Sequence, residues 1–346
     1  MKIEEIYIKR CIELAKNGLG TTYPNPLVGC VIVYDGKIIG EGWHQKAGEA
    51  HAEVNAINSV KDKSLLAKST IYVSLEPCSH FGKTPPCCDL IIQHRIPNVV
   101  IGTVDPNSKV SGTGIKRLME NDCHVTVGIL EEECNELNKR FFTFHNKKRP
   151  YIILKWAESK DGFIAPLTKE KQEPVWISNP FSRQLVHQWR SEEQAILVGT
   201  QTVLDDNPKL DVRDWTGKNP IRIVLDRNGK INSHYFVKDK KTKTIVITAQ
   251  ENLTSSENLI YESIIFDKQL TRKITDILYR HGIQSVIIEG GKQTLETFIA
   301  DNLWDEAFVF IGNISLNEGI KAPLLNGIFK VTDIKDDQLK LFLNHD

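Results

Sequence analysis

Hydrophobic and polar positions along the first half of the chain predict helices and strands in alternation. Residues 3–17 have the spacing of an amphipathic helix. Apolar runs at 28–34 and 37–43 predict two strands joined by Asp35-Gly36, a typical hairpin turn. The other predicted elements are a helix from 52, a strand at 70–75, a helix at 89–94, a strand at 98–103, a helix at 115–120 and a strand at 124–127.

The second half of the chain repeats this alternation. Strands are predicted at 151–156, 195–198, 222–225, 244–248 and 285–288, and helices at 182–190, 271–281 and 293–301. Strands that alternate with helices indicate an α/β fold, with largely parallel sheets covered on both faces. Both halves are therefore expected to be α/β.

Length and composition indicate two separate cores. A chain of 346 residues exceeds what one core usually organises. All seven cysteines lie within the first 134 residues, whereas five of the six tryptophans lie from Trp156 onward. The polar, basic stretch 145–150 interrupts both flanking patterns and marks the predicted seam. We predict one domain over 1–146 and another over 150–346.

The charge balance narrows the class of partner. Forty-four basic and 44 acidic side chains cancel, which argues against a nucleic-acid partner but allows a local basic pocket for one phosphate. No apolar run reaches the length of a membrane span, and the first 18 residues do not resemble a signal peptide. An odd number of cysteines without a secretion signal favours reduced thiols. We expect a cytoplasmic protein without a membrane partner.

A candidate zinc site lies in the first half, in His51-Ala-Glu53, Pro77-Cys78 and Pro86-Cys87. Zinc nucleobase deaminases use one His, two Cys and a glutamate that is not a ligand, with the signature H-x-E…P-C-x-x-C. Here the second cysteine follows the first by nine residues, so the short signature is absent. Two thiolates and an imidazole nevertheless suit zinc and leave a fourth position open for water.

Helix geometry restricts where this site can lie. His51 and Glu53 point about 200° apart around an α-helix, so they share a site only beyond its N-terminus. Taken singly, a histidine or a small buried cysteine is more often structural than functional. The combination in this order favours a metal site. The role of Cys88 stays open, and four cysteines are interpreted as structural: Cys11, Cys30, Cys123 and Cys134.

Three segments resemble the bifunctional deaminase/reductase family of riboflavin biosynthesis. They are residues 22–30 (TYPNPLVGC), 48–54 (GEAHAEV) and 75–87 (LEPCSHFGKTPPC). The resemblance implies a cytidine-deaminase-like α/β/α sandwich holding one Zn²⁺ through His51, Cys78 and Cys87. It further implies that Glu53 is the proton shuttle and that Asn25 binds the pyrimidine, although Asn25 could equally be an ordinary turn residue. The implied substrate is 2,5-diamino-6-ribosylamino-4(3H)-pyrimidinone 5′-phosphate, which loses its 2-amino group.

The second half resembles the reductase of the same family, a dihydrofolate-reductase-like α/β domain that uses NADPH to reduce ribosyl to ribityl. Gly290 and Gly291 follow a predicted strand, where backbone amides could meet a pyrophosphate, although a plain turn is the commoner cause. The pattern G-x-G-x-x-G is absent, which disfavours an ordinary dehydrogenase. The implied NADPH-site residues are Ala157, Trp176, Thr202, Asp206, Gly290 and Gly291.

The resemblance also implies a sugar-phosphate site. Arginine suits this phosphate because its planar fork binds oxyanions at two points, although an isolated arginine is more often only solvated. Lys155 and Glu289 end predicted strands, where α/β folds place their chemistry, and are candidate catalytic residues. Arg227 is the candidate cation for the 2′-phosphate of NADPH. The implied substrate-binding residues are Arg190, Leu210, Arg213 and Glu289.

Some positions depart from the family pattern. Glu158 and Lys160 stand where small and apolar residues are usual, Pro174 replaces a common serine, and the segment after Gly312 is short. These departures leave open a second half that binds NADPH without catalysis or serves only as a structural module. A nucleoside or nucleic-acid deaminase with an unrelated second domain is the other alternative, which the neutral charge and the long Cys78–Cys87 spacing disfavour. We expect a homo-oligomer acting on a small pyrimidine ribosyl phosphate.

Overall fold

The computed structural model describes residues 2–79, 85–106 and 111–344. The chain divides into two compact units, Met1–Lys148 and Arg149–Asp346. No helix within the described ranges is long and apolar enough to cross a membrane. In chain order the first unit contains α1 (Ile3–Lys16), β1 (Gly29–Tyr34), β2 (Lys37–Trp43), α2 (Ala52–Ser59), β3 (Thr70–Leu75), α3 (Cys87–Gln93), β4 (Asn98–Thr103), α4 (Thr113–Met119), β5 (His124–Val127), α5 (Glu131–Leu137) and α6 (Lys139–Lys147).

The described part of the first unit forms a five-stranded sheet in the order β2-β1-β3-β4-β5. Asp35 and Gly36 have φ of 47° and 69°, as a tight hairpin turn requires, so the predicted β1–β2 hairpin is confirmed. β3, β4 and β5 are parallel, but β1 is antiparallel to both neighbours. The expectation of a largely parallel sheet is therefore wrong for β1 and β2, since a two-residue turn joins only antiparallel strands.

Successive residues of the central strands enter cores on opposite faces of this sheet. Cys30 and Ile32 pack with α2, α3 and α4, whereas Val31 and Val33 pack with α1 and α5. This alternation follows from the two-residue period of a strand. The predicted α/β/α sandwich is confirmed.

The end of the first unit differs from the sequence-based prediction. α5 and α6 were not predicted, and α6 continues to Lys147 through the polar stretch that we interpreted as a seam. Residues 145–147 form the last turn of this helix, and the boundary between the two units lies within the stretch 145–150, after Lys148. The chain turns at Lys148, which has a left-handed φ of 55°.

The second unit begins at Arg149, which donates hydrogen bonds of 2.6 and 2.8 Å to the carboxylate of Asp305. Its elements are β6 (Tyr151–Ser159), β7 (Phe163–Ala165), α7 (Pro180–Glu192), β8 (Ala195–Gly199), α8 (Thr200–Asp206), β9 (Ile221–Leu225), β10 (Thr244–Thr248), β11 (Leu259–Ser263), α9 (Leu270–Arg280), β12 (Ser285–Ile288), α10 (Lys292–Ala300), β13 (Glu306–Gly312), β14 (Ile320–Lys321), β15 (Ile328–Ile334) and β16 (Asp337–Leu343).

The main sheet of the described second unit has nine strands, in the order β11-β10-β9-β8-β12-β6-β13-β16-β15. The strands from β11 to β13 are parallel, and the β15–β16 hairpin adds to β13 in antiparallel orientation. The segment after Gly312, short as it is, thus completes the sheet. Because the chain leaves β6 for β8 and later inserts β12 between them, the C-terminal ends of these strands border one crevice, where open α/β sheets bind ligands.

Candidate active sites

The candidate metal site lies at the start of α2. His51 precedes the helix in extended conformation, with φ −73° and ψ 167°, so its ring points beyond the helix end. Its Nδ1 lies 3.6 Å from Sγ of Cys78 and 3.4 Å from Sγ of Cys87. The three ligand atoms all lie within 4.8 Å of one another. The structure thus brings the three predicted ligands together at the place that helix geometry requires.

The two cysteines reach this point from different elements. Cys78 follows β3, and Cys87 is the first residue of α3, whose backbone N–H donates to Sγ of Cys78 at 3.3 Å. The hydrogen bond from the Cys87 thiol lowers the pKa of Cys78 to about 4, and the same pairing raises the pKa of Cys87. Residues 80–84 of the intervening loop lie outside the described residues. Two sulfurs and one imidazole nitrogen so close together are a donor set that fits zinc.

Glu53 lies in the first turn of α2 and is only 3% exposed. Its carboxyl group hydrogen-bonds the Cys87 thiol but is not one of the three clustered ligands. Burial, together with the negative charge on Cys78, raises the pKa of Glu53 to about 7. A carboxyl group with this pKa can take up and release a proton near neutral pH.

Cys88 has a different environment from its neighbour. Its thiol is buried and points to the carbonyl oxygens of Pro77 and Gly114, at 3.3 and 3.6 Å. Burial raises the pKa of this thiol well above its ordinary range. Through these contacts Cys88 packs between the loop that follows β3 and the first turn of α4.

Asn25, the predicted pyrimidine-binding residue, is connected to the candidate metal site by His44, which we did not predict as a site residue. Nδ2 of Asn25 is 3.1 Å from Nε2 of His44, whose ring packs edge-on against His51 with the centroids 5.3 Å apart. Nδ1 of His44 lies 3.0 Å from the carbonyl oxygen of Ala50, so this nitrogen carries the proton and Nε2 accepts from Asn25. Burial lowers the pKa of His44, which keeps the ring neutral. The sequence offered one signal that His44 could belong to a site: it directly follows the strand predicted at 37–43.

The second unit contains a cavity of about 990 Å³ along the C-terminal ends of β6, β8, β9 and β12. Gly290 is not among the lining residues: a Cβ there would lie 2.4 Å from Cα of Val198, so this glycine permits close packing on β8, and its contact with the cofactor stays a prediction. The predicted residues that do line the cavity are Lys155, Ala157, Trp176, Arg190, Thr202, Asp206, Leu210, Arg213, Arg227, Glu289 and Gly291.

Three of these side chains form a buried ionic cluster. Arg190 donates to both carboxylate oxygens of Glu289, at 2.9 and 2.7 Å, and Nζ of Lys155 lies 3.7 Å from the same carboxylate. Burial opposes ionisation of Glu289, but Arg190 and Lys155 outweigh it and lower the pKa to about 2. Burial and the neighbouring Arg190 lower the pKa of Lys155. Two cations and one carboxylate leave a net positive charge in the cavity wall.

Other cavity residues have partners that the sequence did not reveal. Asp206 forms an ion pair with Lys169, and Trp176 is half exposed with the Arg183 guanidinium 4.5 Å from its ring centroid. The unusual Glu158 accepts a hydrogen bond of 2.8 Å from the indole of Trp156, whose side chain is buried in the core. Glu158 therefore satisfies a buried donor, which gives this departure from the family pattern a structural reason.

The residues after β9 form the far end of the cavity. Arg227 lines it, with its guanidinium 6.0 Å from the ring centroid of Phe266, another lining residue. The neighbouring Asp226 is buried and accepts from the backbone N–H groups of Lys230 and Ile231, at 2.9 and 3.0 Å. Both of its oxygens are thus engaged in a turn, so Asp226 is not a free acid for a ribose hydroxyl.

The chain matches two known family models, one in each half, and is similar to proteins of riboflavin biosynthesis. Residues 1–103 match the family model "cytidine and deoxycytidylate deaminase zinc-binding region", and residues 150–327 match "RibD C-terminal domain". The riboflavin biosynthesis protein RibD of Aquifex aeolicus is 41% identical over 92% of this chain and 89% of its own length. Its Escherichia coli counterpart is 35% identical over 97% and 95%.

A solved structure extends the likeness to the whole fold. The Thermotoga maritima protein, a diaminohydroxyphosphoribosylaminopyrimidine deaminase/5-amino-6-(5-phosphoribosylamino)uracil reductase, is 37% identical and superposes with a TM-score of 0.89 over 99% of both chains. The reductases of this family use NADPH. The chain therefore belongs to the RibD family of riboflavin biosynthesis and is a bifunctional enzyme, with a zinc-dependent deaminase and an NADPH-dependent reductase.

Proposed function

We propose that the first unit removes the 2-amino group of 2,5-diamino-6-ribosylamino-4(3H)-pyrimidinone 5′-phosphate and that the second unit reduces the ribosyl group of the product. The observation that carries the proposal is the group of His51, Cys78 and Cys87 with buried Glu53 beside it. The two activities of the similar Thermotoga maritima protein, a pyrimidine deaminase and a ribosyl reductase, support this choice of substrate.

In the deaminase, His51, Cys78 and Cys87 would hold the zinc. The chemistry that zinc would supply there is the acidification of a water molecule near neutral pH. Glu53 takes up a proton from water and delivers it to the leaving amine, a task that suits a pKa of about 7. Asn25, oriented by neutral His44, binds the pyrimidine.

In the reductase, the positive cavity wall binds the substrate. Arg190 and Arg213 bind its phosphate, with Leu210 and Glu289 beside the sugar. NADPH bound in this cavity would supply the hydride. The reduction also needs a proton, which Lys155 can give because burial lowers the pKa of its ammonium group. The residues that would bind the cofactor are five that line the cavity: Ala157, Trp176, Thr202, Asp206 and Gly291.

Product analysis tests both steps. We expect mass spectrometry to show the deaminated pyrimidine when the protein receives the diaminopyrimidine phosphate alone, and the ribityl product once NADPH is added. A deaminated product that accumulates unchanged with NADPH present would instead support a non-catalytic second unit.

The homo-oligomeric state and the cytoplasmic location also remain predictions. Light scattering tests the first, and cell fractionation tests the second.

We expect NADPH to be preferred over NADH by about tenfold or more in kcat/KM, since a charge-assisted contact with a phosphate contributes about 1.5–3 kcal/mol. Arg227→Gln should reduce this preference by lowering kcat/KM for NADPH alone. Arg280→Gln is the matched control, because Arg280 lies on α9 and pairs with Glu262. Equal kcat/KM values for the two dinucleotides in the wild type would contradict the assignment.

A further inference from the structure

His187 is a buried histidine of the reductase cavity to which the mechanism above gives no role. It lies on α7, is 3% exposed and lines the cavity one helical turn before Arg190. A buried polar ring is expected to have specific partners.

The partners of His187 determine which ring nitrogen carries the proton. Nδ1 lies 3.3 Å from the backbone nitrogen of Arg213, which can only donate, so Nδ1 accepts. The proton of the neutral ring is then on Nε2, which lies 3.3 Å from a carboxylate oxygen of Asp214. His187 therefore ties two consecutive residues of the segment 210–214 to α7.

A second tie runs parallel to the first. Nη1 of Arg190 donates to the carbonyl oxygen of Asp211 at 3.3 Å, and Arg213 pairs with the Asp211 carboxylate at 2.7 Å. The segment needs such ties, because Leu210 has a φ of 51°, a left-handed conformation that is unfavourable for a leucine. The structure thus holds segment 210–214 against α7 at two levels.

We propose that His187 is a positioning residue for the phosphate of the pentosyl substrate: it holds segment 210–214 so that Arg213 faces the cavity. The inference rests on the proposed reductase function, in which Arg213 binds that phosphate. The charged groups that act on His187 are Arg190, Arg213, Asp214 and Glu289. Burial and the two arginines lower the pKa of His187, so the ring stays neutral and Nδ1 remains an acceptor.

Two substitutions separate the role of Nδ1 from simple packing. His187→Asn keeps an acceptor near the position of Nδ1, whereas His187→Gln moves its polar group beyond that position. We expect His187→Gln to raise KM for the deaminated pyrimidine ribosyl phosphate about tenfold, and His187→Asn to stay within about threefold of the wild type. KM for NADPH should not change in either variant. The control is His281→Asn, which removes a histidine paired with Glu262 outside the cavity.

The dephosphorylated riboside supplies the decisive comparison. If His187 acts through the phosphate site, His187→Gln should impair use of the phosphorylated substrate far more than use of the riboside. Equal KM values for the Gln and Asn variants, or an equal loss with the riboside, would overturn the proposal. The affinity for ribose 5-phosphate, measured by calorimetry, tests His187 separately from the reductase function. If the wild type binds ribose 5-phosphate but does not reduce the deaminated pyrimidine ribosyl phosphate, the proposed function fails. A weaker affinity in His187→Gln than in His187→Asn and the wild type would still support the positioning role.

Discussion

Glu53→Gln is expected to retain zinc and to lose deamination by about 10²–10⁴-fold, the usual cost of removing a positioned acid/base. The amide keeps the size of the side chain and leaves His51, Cys78 and Cys87 unchanged, but it cannot carry a proton from water to the leaving amine. Metal analysis and an ammonia assay measure the two effects.

The same variant tests whether the two sites are independent. Because the reductase cavity is lined by residues of the second unit, Glu53→Gln should still oxidise NADPH when given the deaminated intermediate. Glu49→Gln is the matched control, since Glu49 is exposed and pairs with Lys46. Appreciable ammonia release by Glu53→Gln would refute the shuttle role, and loss of both activities in a folded, zinc-bound protein would refute independent sites.

Cys87→Ser is expected to lose the zinc, whereas Cys88→Ser should keep about one zinc per chain, because the thiol of Cys88 faces carbonyl oxygens and lies outside the ligand group. Serine is nearly the same size as cysteine but is a poor zinc ligand, so the pair isolates the ligand role. Zinc content and ammonia release should fall together in the first variant. Equal metal loss in the two variants would show that the ligand assignment is wrong.

The sequence predicted elements with strong periodicity and residues joined by local motifs. β3 and β10 have the predicted bounds, and His51, Cys78 and Cys87 come together as the family resemblance implied. β13, rich in apolar residues, was missed because a short apolar run without alternation does not distinguish a strand from other buried segments.

Tertiary partners could not be read from the chain. The contact of His44 with Asn25 joins residues 19 apart, and that of Glu289 with Arg190 joins residues 99 apart. Gly290 gives a further example: the sequence shows a glycine after a strand, but only the fold shows that Val198 of the neighbouring strand leaves no room for a Cβ there. Only the fold shows which of these pairs meet.

The central claim, that one chain carries two consecutive activities, is tested most directly by a coupled assay. A single preparation receives the diaminopyrimidine ribosyl phosphate with NADPH, and ammonia release and NADPH oxidation are recorded together. The account predicts that both proceed and that, at completion, ammonia and oxidised NADPH are equimolar. Complete ammonia release without NADPH oxidation would contradict it.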